Sequence, residues 1–369
     1  MSSYIGGRWP PSLDEKQEML LPIANVKSTA IPSYLSPRHI SLVILILQNT
    51  SLVLMMSYSR IVQLPNQPLY LASTAVFLAE VIKIAVCFGA LWFLEKRSLR
   101  HVFQILRTEL ITGDTVKMFF PACLYALQNN LLYVAISNLE AASFQVTYQM
   151  KILSTAVFSV IILRRTITAP RWFALVLLMI GVTLVQLQSV TSKPSSENEE
   201  PQVMEAGKVL LAAQNPLRGL LAVMAACISS GFAGCYFEKI LKSNETSIWV
   251  RNIQLGFSSL IFSVLAMVIN DWHAISASGL LQGYNTLTYF VVLNQALGGL
   301  LVAIVVKYAD NILKGFATSL SIILSSVISC YLFNFHLSFQ FCVGAAIVML
   351  ATALYGRPPV TFGSKQLKF

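Results

Sequence analysis

The chain has 369 residues, 56% hydrophobic and only 11% charged, where soluble domains carry roughly 25% charged residues. Mean hydropathy is +0.67, and Lys and Arg outnumber Asp and Glu 26 to 16, a formal net charge of +10. That composition excludes a soluble enzyme, a disordered chain, a coiled coil and most nucleic-acid binders, and leaves a multi-span α-helical membrane protein.

A membrane-crossing helix needs about 20 mostly apolar residues, with polar residues relegated to loops. Residues 1–38 are polar and Pro/Ser-containing, without an early apolar core or cleavage site, which predicts an N-terminal tail and a first span that itself serves for targeting. Ten apolar runs follow, at 39–59, 69–95, 117–137, 139–163, 171–189, 217–241, 247–270, 287–307, 311–333 and 337–356. No strand-length alternation suggests a barrel. With the N-terminal tail in the cytosol, twenty of the 26 basic residues fall on cytosolic segments. Only Arg60, Lys193, Lys208 and Arg218 fall opposite, and Lys83 and Lys151 lie within spans. The asymmetry predicts cytosolic termini at both ends and an even span count.

Residues 190–216, rich in Ser, Pro, Glu and Asn, read as a lumenal linker between five-span units at 39–189 and 217–356, with 357–369 as a cytosolic tail. A duplicated unit with an odd number of spans inserts upside down, the inverted repeat of many transporters. Asn129-Asn130-Leu131-Leu132 and Gly298-Gly299-Leu300-Leu301 occupy comparable places in the third and eighth spans. All six cysteines (Cys87, Cys123, Cys227, Cys235, Cys330, Cys342) fall in predicted spans without metal-ligand spacing and read as small buried hydrophobes. The sequons at Asn49 and Asn244 fall within a span and on the cytosolic side, so neither is expected to be modified.

Ionisable residues inside a bilayer are costly and therefore candidates for function. Glu80 and Lys83, at i,i+3, favour a structural or gating ion pair, with ligand contact as the second reading. Lys151 has no acid nearby in sequence, and Phe144, Tyr148 and Lys151 fall at i, i+4 and i+7, which places two aromatics and a cation on one helix face. An unpaired midplane cation calls for an anionic ligand. Lys307 reads either as an interfacial anchor or as a ligand contact, and Asp310 can pair with Lys307 or Lys314. Tyr125, Gln128 and Asn129 form a polar stripe suited to interhelical hydrogen bonds or to ligand. Ser230, Gly231 and Gly234 sit in a small-residue stretch of the sixth span that lets a helix or a ligand approach the backbone. No paired-acid metal site, P-loop or zinc motif is visible, so neither a catalytic group nor a cofactor is expected. A carrier exchanging one anion for another needs only cations in its cavity.

At these residues the sequence resembles the nucleotide-sugar transporters of the Golgi, in the branch carrying UDP-galactose, UDP-N-acetylglucosamine and CMP-sialic acid. The likeness runs from about residue 38 to 356. It is carried by Leu127-Gln128-Asn129-Asn130 through Lys151, Gly231 through Lys239, Trp249-Val250-Arg251-Asn252, and Val306 through Gly315. The resemblance implies an all-α fold of ten transmembrane helices in an inverted five-plus-five repeat of the drug/metabolite transporter type. It also implies a central cavity of alternating access and exchange of nucleotide sugar for nucleoside monophosphate. It places Tyr125, Asn129, Lys151, Ser230, Asn252 and Lys307 at the nucleotide, the two lysines on phosphate. Phe144 and Gly256 depart from the tyrosines of CMP-sialic acid carriers and, with Tyr148, point to a different base or sugar. Val291 through Ala296 and Phe335-His336-Leu337 look most like UDP-galactose transporters, whereas Gln282-Gly283-Tyr284-Asn285 looks like those for UDP-N-acetylglucosamine. The resemblance favours UDP-galactose as cargo, with UDP-N-acetylglucosamine or a broad range of UDP-sugars as the alternative. The implied partners are that UDP-sugar, UMP and the bilayer, in the Golgi membrane or else the endoplasmic reticulum; a homo-oligomer and association with glycosyltransferases stay open. The competing readings are a proton-coupled exporter of cationic metabolites and a scaffold that transports nothing.

Overall fold

The computed structural model describes residues 36–61, 70–95, 98–111, 114–139, 141–191, 215–243, 246–333 and 338–357. Nearly all of the two predicted tails and of the 190–216 linker lies outside them, as do Asn244 and the Phe335–Leu337 stretch. The described residues form helices and the short links between them, with no strand. Ten crossings are long and apolar enough to span a membrane. In chain order the spans are Pro37–Ile61, Ala72–Leu94, Asp114–Asn138, a fourth in two pieces (Ala141–Tyr148 and Met150–Leu163), Ala169–Thr191, Pro216–Ser243, Ile248–Asn270, Thr286–Tyr308, Asn311–Phe333 and Phe339–Gly356. Two shorter helices that the apolar pattern does not announce, Leu99–Ile111 and Trp272–Ser278, lie between the second and third and the seventh and eighth spans.

Local chemistry sets several helix starts. Ser247 accepts a hydrogen bond from the Trp249 N–H, Ser338 accepts from Phe341, and Asn285 and Thr288 form a reciprocal capping box. The outer faces are apolar: Leu47, Phe93, Ile161 and Ile269 are all exposed. Polar groups turn inward, with Thr288, Gln254, Asn252 and Ser258 buried. This inversion of the soluble pattern is what a hydrocarbon solvent requires.

The contacts between spans repeat when each of the first five is exchanged with the one five places later. The third packs on the sixth and the eighth on the first; the fourth packs on the sixth and the ninth on the first. The third meets the seventh and the eighth meets the second. Three contacts map onto themselves: second with seventh, fifth with tenth, fourth with ninth. This is the packing an inverted five-plus-five repeat produces.

The fifth and tenth spans cross at paired glycines. A Cβ on Gly181 would lie 3.0 Å from the Gly344 carbonyl oxygen, and one on Gly344 would lie 2.9 Å from the Gly181 carbonyl oxygen. Small residues that let backbones touch are how helices associate where lipid removes the hydrophobic drive. Gly344→Leu is therefore expected to destabilise the protein by about 1–3 kcal/mol through overpacking, read as a lower melting temperature in detergent, whereas Gly89→Ala, with nothing within 4 Å of its Cβ, should leave melting nearly unchanged.

Candidate binding site

The fourth span is interrupted in its middle by Gln149, which carries neither of the usual causes of a break, Pro or Gly. The Gln149 side chain is buried and donates from Nε2 to Gln186 Oε1 on the fifth span at 2.5 Å, while its backbone N–H bonds Val146 and its carbonyl accepts from Ile152 in tight turns. A second helical segment starts at Met150, and Lys151 stands in its first turn, at a positive dipole end.

Lys151 Nζ lies 3.9 Å from the centre of the Tyr148 ring. Phe144 stacks on the other aromatic, with centroids 5.6 Å apart and planes 11° from parallel. Gln128 of the third span donates to the Tyr148 hydroxyl at 3.4 Å. The aromatic face attracts the ammonium but carries no formal charge. Among the described residues no carboxylate reaches Lys151. Lys314, in the first turn of the ninth span, is close enough for its charge to act on Lys151, and Glu238 and Cys235 lie within the same electrostatic reach of it. Two cations thus share one region between the fourth and ninth spans.

The other predicted site residues are distributed as follows. Tyr125 lies near Cys235, facing the sixth span. Asn129 is exposed, whereas its neighbour Gln128 is buried and reaches Tyr148. Asn252 is buried and donates to the Ile248 carbonyl of its own helix. Ser230 is half-buried, beside Gly231, whose Cβ would lie 2.8 Å from the Ser154 backbone of the fourth span. Gly234 is packed under the Asn311 amide. Lys307 is half-buried in the last turn of the eighth span, without an ion-pair partner among the described residues. Glu80 and Lys83 form an ion pair at 2.5 Å, with Lys83 buried. Gly256 packs against Ile84 and lies near Glu80, and Gly299 makes room for the Lys83 stem.

One group was missed by sequence reasoning. Glu238, at the end of the sixth span, is 0% exposed. Its Oε1 meets Arg165 Nη2 at 2.6 Å and Lys242 Nζ at 2.7 Å, and its Oε2 accepts from the Asn311 N–H at 3.0 Å. Lys242 also donates to the Ala309 carbonyl, and Arg165 reaches Asp310 at 3.4 Å. Asp310 caps the ninth span through the Leu313 N–H. The signal that could have revealed this cluster was the Glu238/Lys242 spacing of i,i+4.

A family model described as nucleotide-sugar transporter matches residues 35–356. The chain belongs to the nucleotide-sugar transporter family. It is 49% identical over 330 residues to the UDP-N-acetylglucosamine transporter of Homo sapiens, covering 89% of this chain and 97% of that one. It is 44% identical over 336 residues to the UDP-galactose transporter of Schizosaccharomyces pombe, covering 90% of each. The UDP-galactose translocator of Mus musculus is 46% identical over 323 residues, 87% of this chain and 78% of that one. A solved crystal structure covering 86% of this chain and 97% of its own, at TM-score 0.60 and 13% identity, shares the fold. The protein is thus a multi-pass membrane transporter and not an enzyme.

In this transporter the Glu238 cluster ties together the link between the fourth and fifth spans, the end of the sixth, and the link between the eighth and ninth. Glu238→Gln leaves Arg165 and Lys242 without their shared anion. Both have side chains 30% exposed, so the expected loss lies below the ~3–5 kcal/mol of breaking a fully enclosed pair, measured by thermal unfolding of the purified protein. A melting temperature equal to that of the unaltered chain would remove the cluster from the fold's stability.

Proposed function

We propose that the protein is an antiporter that brings a UDP-sugar into the Golgi lumen and returns UMP to the cytosol by alternating access, with both termini in the cytosol. The observation that carries this reading is Lys151, a cation seated on an aromatic stack, near a second cation and with no carboxylate partner. In this reading a pyrophosphate entering the region neutralises Lys151 and Lys314 and reaches Lys307 at the end of the eighth span in one half-cycle, and a monophosphate does so in the other. Tyr125, Asn129, Ser230 and Asn252 supply polar contacts to base, ribose or phosphate. The basic residues concentrated on one set of loops support the orientation.

Both UDP-galactose and UDP-N-acetylglucosamine are cargo in this reading. The chain's relatives include named transporters for each at 44–49% identity over most of its length. The stretch resembling UDP-galactose carriers is engaged in packing: Asn294 donates to Ser51 and accepts from Gln48 on the first span. Tyr284, in the stretch resembling UDP-N-acetylglucosamine carriers, bonds Thr74 and packs edge-on to Tyr70. Neither contact is among the groups around Lys151, which supports a cavity that reads the UDP moiety more strictly than the hexose.

Purified protein in liposomes loaded with UMP should take up UDP-galactose, and unlabelled UDP-N-acetylglucosamine should compete within about tenfold of UDP-galactose itself, a difference of 1.4 kcal/mol. Equal uptake without internal UMP would sink obligatory exchange. Lys151→Ala should reduce uptake by about tenfold or more, since a charge-assisted contact contributes roughly 1.5–3 kcal/mol; undiminished uptake by that variant would remove the residue from the mechanism.

A further inference from the structure

Apart from the region around Lys151, the protein holds a cavity of about 740 Å³ at the end where the first span begins and the tenth finishes. Its wall includes Arg38, Arg164, Arg165 and Arg171, with Asp310 as the one carboxylate among the described residues and Tyr355 beside them. Asp310 is already engaged, by Arg165 at 3.4 Å and by the Leu313 N–H at 2.7 Å.

The backbone adds to the positive charge. Arg38, Arg171 and Ile312 each stand in the first turn of a span, the first, fifth and ninth, so three helix starts meet the same cavity. None of those first turns carries an acid. Helix starts favour anions and disfavour cations, yet two of the three carry arginine here. Arg171 is held with its guanidinium 5.5 Å from the centre of the Tyr355 ring, and its Nε is buried without a hydrogen-bond partner among the described residues. Arg164 sits in the left-handed region, φ 52°, where the fourth span ends.

We infer that this arginine-lined cavity is a second anion site, separate from the Lys151 region, which binds a phosphate or pyrophosphate group carried by a soluble molecule or by a lipid headgroup. Arginine forks match phosphate oxygens two at a time, and the cavity volume falls in the usual range for small-molecule sites, roughly 300–1,000 Å³. Lys151, Tyr148 and Lys314 do not line it. Arg165 connects it to the rest of the protein, because the same guanidinium meets Glu238 at 2.6 Å. A phosphate that draws Arg165 toward the cavity takes a cation from Glu238, so occupancy weakens the cluster holding this end together. The inference does not depend on which sugar nucleotide is carried.

The test uses the full chain in phosphatidylcholine nanodiscs, with inorganic pyrophosphate as probe and calorimetry at fixed ionic strength. Lys151→Ala serves as the background, to silence the central region. Pyrophosphate should still bind there, and adding Arg38→Gln with Arg164→Asn should weaken it about tenfold or more. Asn tolerates the left-handed backbone, and if the double variant does not fold, Arg38→Gln alone, on an exposed side chain, should still weaken binding. Lysine at both positions should restore only part of the affinity, supplying the charge without the fork. Including phosphatidylinositol phosphate in the nanodiscs distinguishes the sources: loss of the pyrophosphate signal assigns the site to a headgroup, and an unchanged signal assigns it to a soluble phosphate. Binding that the arginine substitutions leave intact, or that Lys151→Ala alone abolishes, overturns the inference.

Discussion

Glu238 is fully enclosed at the end of a membrane-spanning helix, and a carboxylate in that position is tolerated only because two cations and a backbone N–H converge on it. The convergence draws in three separate stretches of chain. Arg165 comes from the link after the fourth span, Lys242 from one turn further along the sixth, and the Asn311 N–H from the start of the ninth. Fixing the start of the ninth span also fixes Lys314, three residues on, which lies within electrostatic reach of both Glu238 and Lys151. The cluster therefore holds the second cation near the first, a placement that their mutual repulsion alone would oppose.

Glu80 and Glu238 are satisfied within the protein, Glu80 by Lys83 and Glu238 by Arg165 and Lys242. The cations without a carboxylate partner among the described residues include Lys151, Lys307 and Lys314 in the spans and Arg38, Arg164 and Arg171 at the end of the bundle. The proposed anion exchange rests on this imbalance. A proton-coupled exporter of cations would need the opposite, an intramembrane acid free to titrate beside its cargo.

Ten spans and the grouping of Phe144, Tyr148 and Lys151 were legible because long apolar runs and residue spacing are local properties. The break at Gln149 was not legible, since no Pro or Gly marks it; it depends on a bond to Gln186, 37 residues away. Glu238 was passed over for a related reason. In sequence it stands near a span end, where charges ordinarily meet water, and only the fold covers it with the eighth-to-ninth link. The polar stripe of the third span was visible, but which member turns inward was not. Gln128 reaches Tyr148, while Asn129 is exposed. Adjacent helical positions differ by about 100° in direction, so the answer depends on how the helix is rotated in the bundle.

The two-fold pattern of contacts gives the position of the lysines a mechanical meaning. Lys151 belongs to the fourth span and Lys314 to the ninth, and these two spans exchange with one another under that pattern and touch. A charge pair on exchanging helices lies across the boundary between the two five-span units, where alternating access by rocking would change distances most. With the region empty, bringing the units together at this level works against the repulsion between two ammonium groups. An anion between them reverses the sign of that term and rewards closure around it. In the proposed exchange cycle the loaded cavity crosses, and the empty one is held back by its own charge.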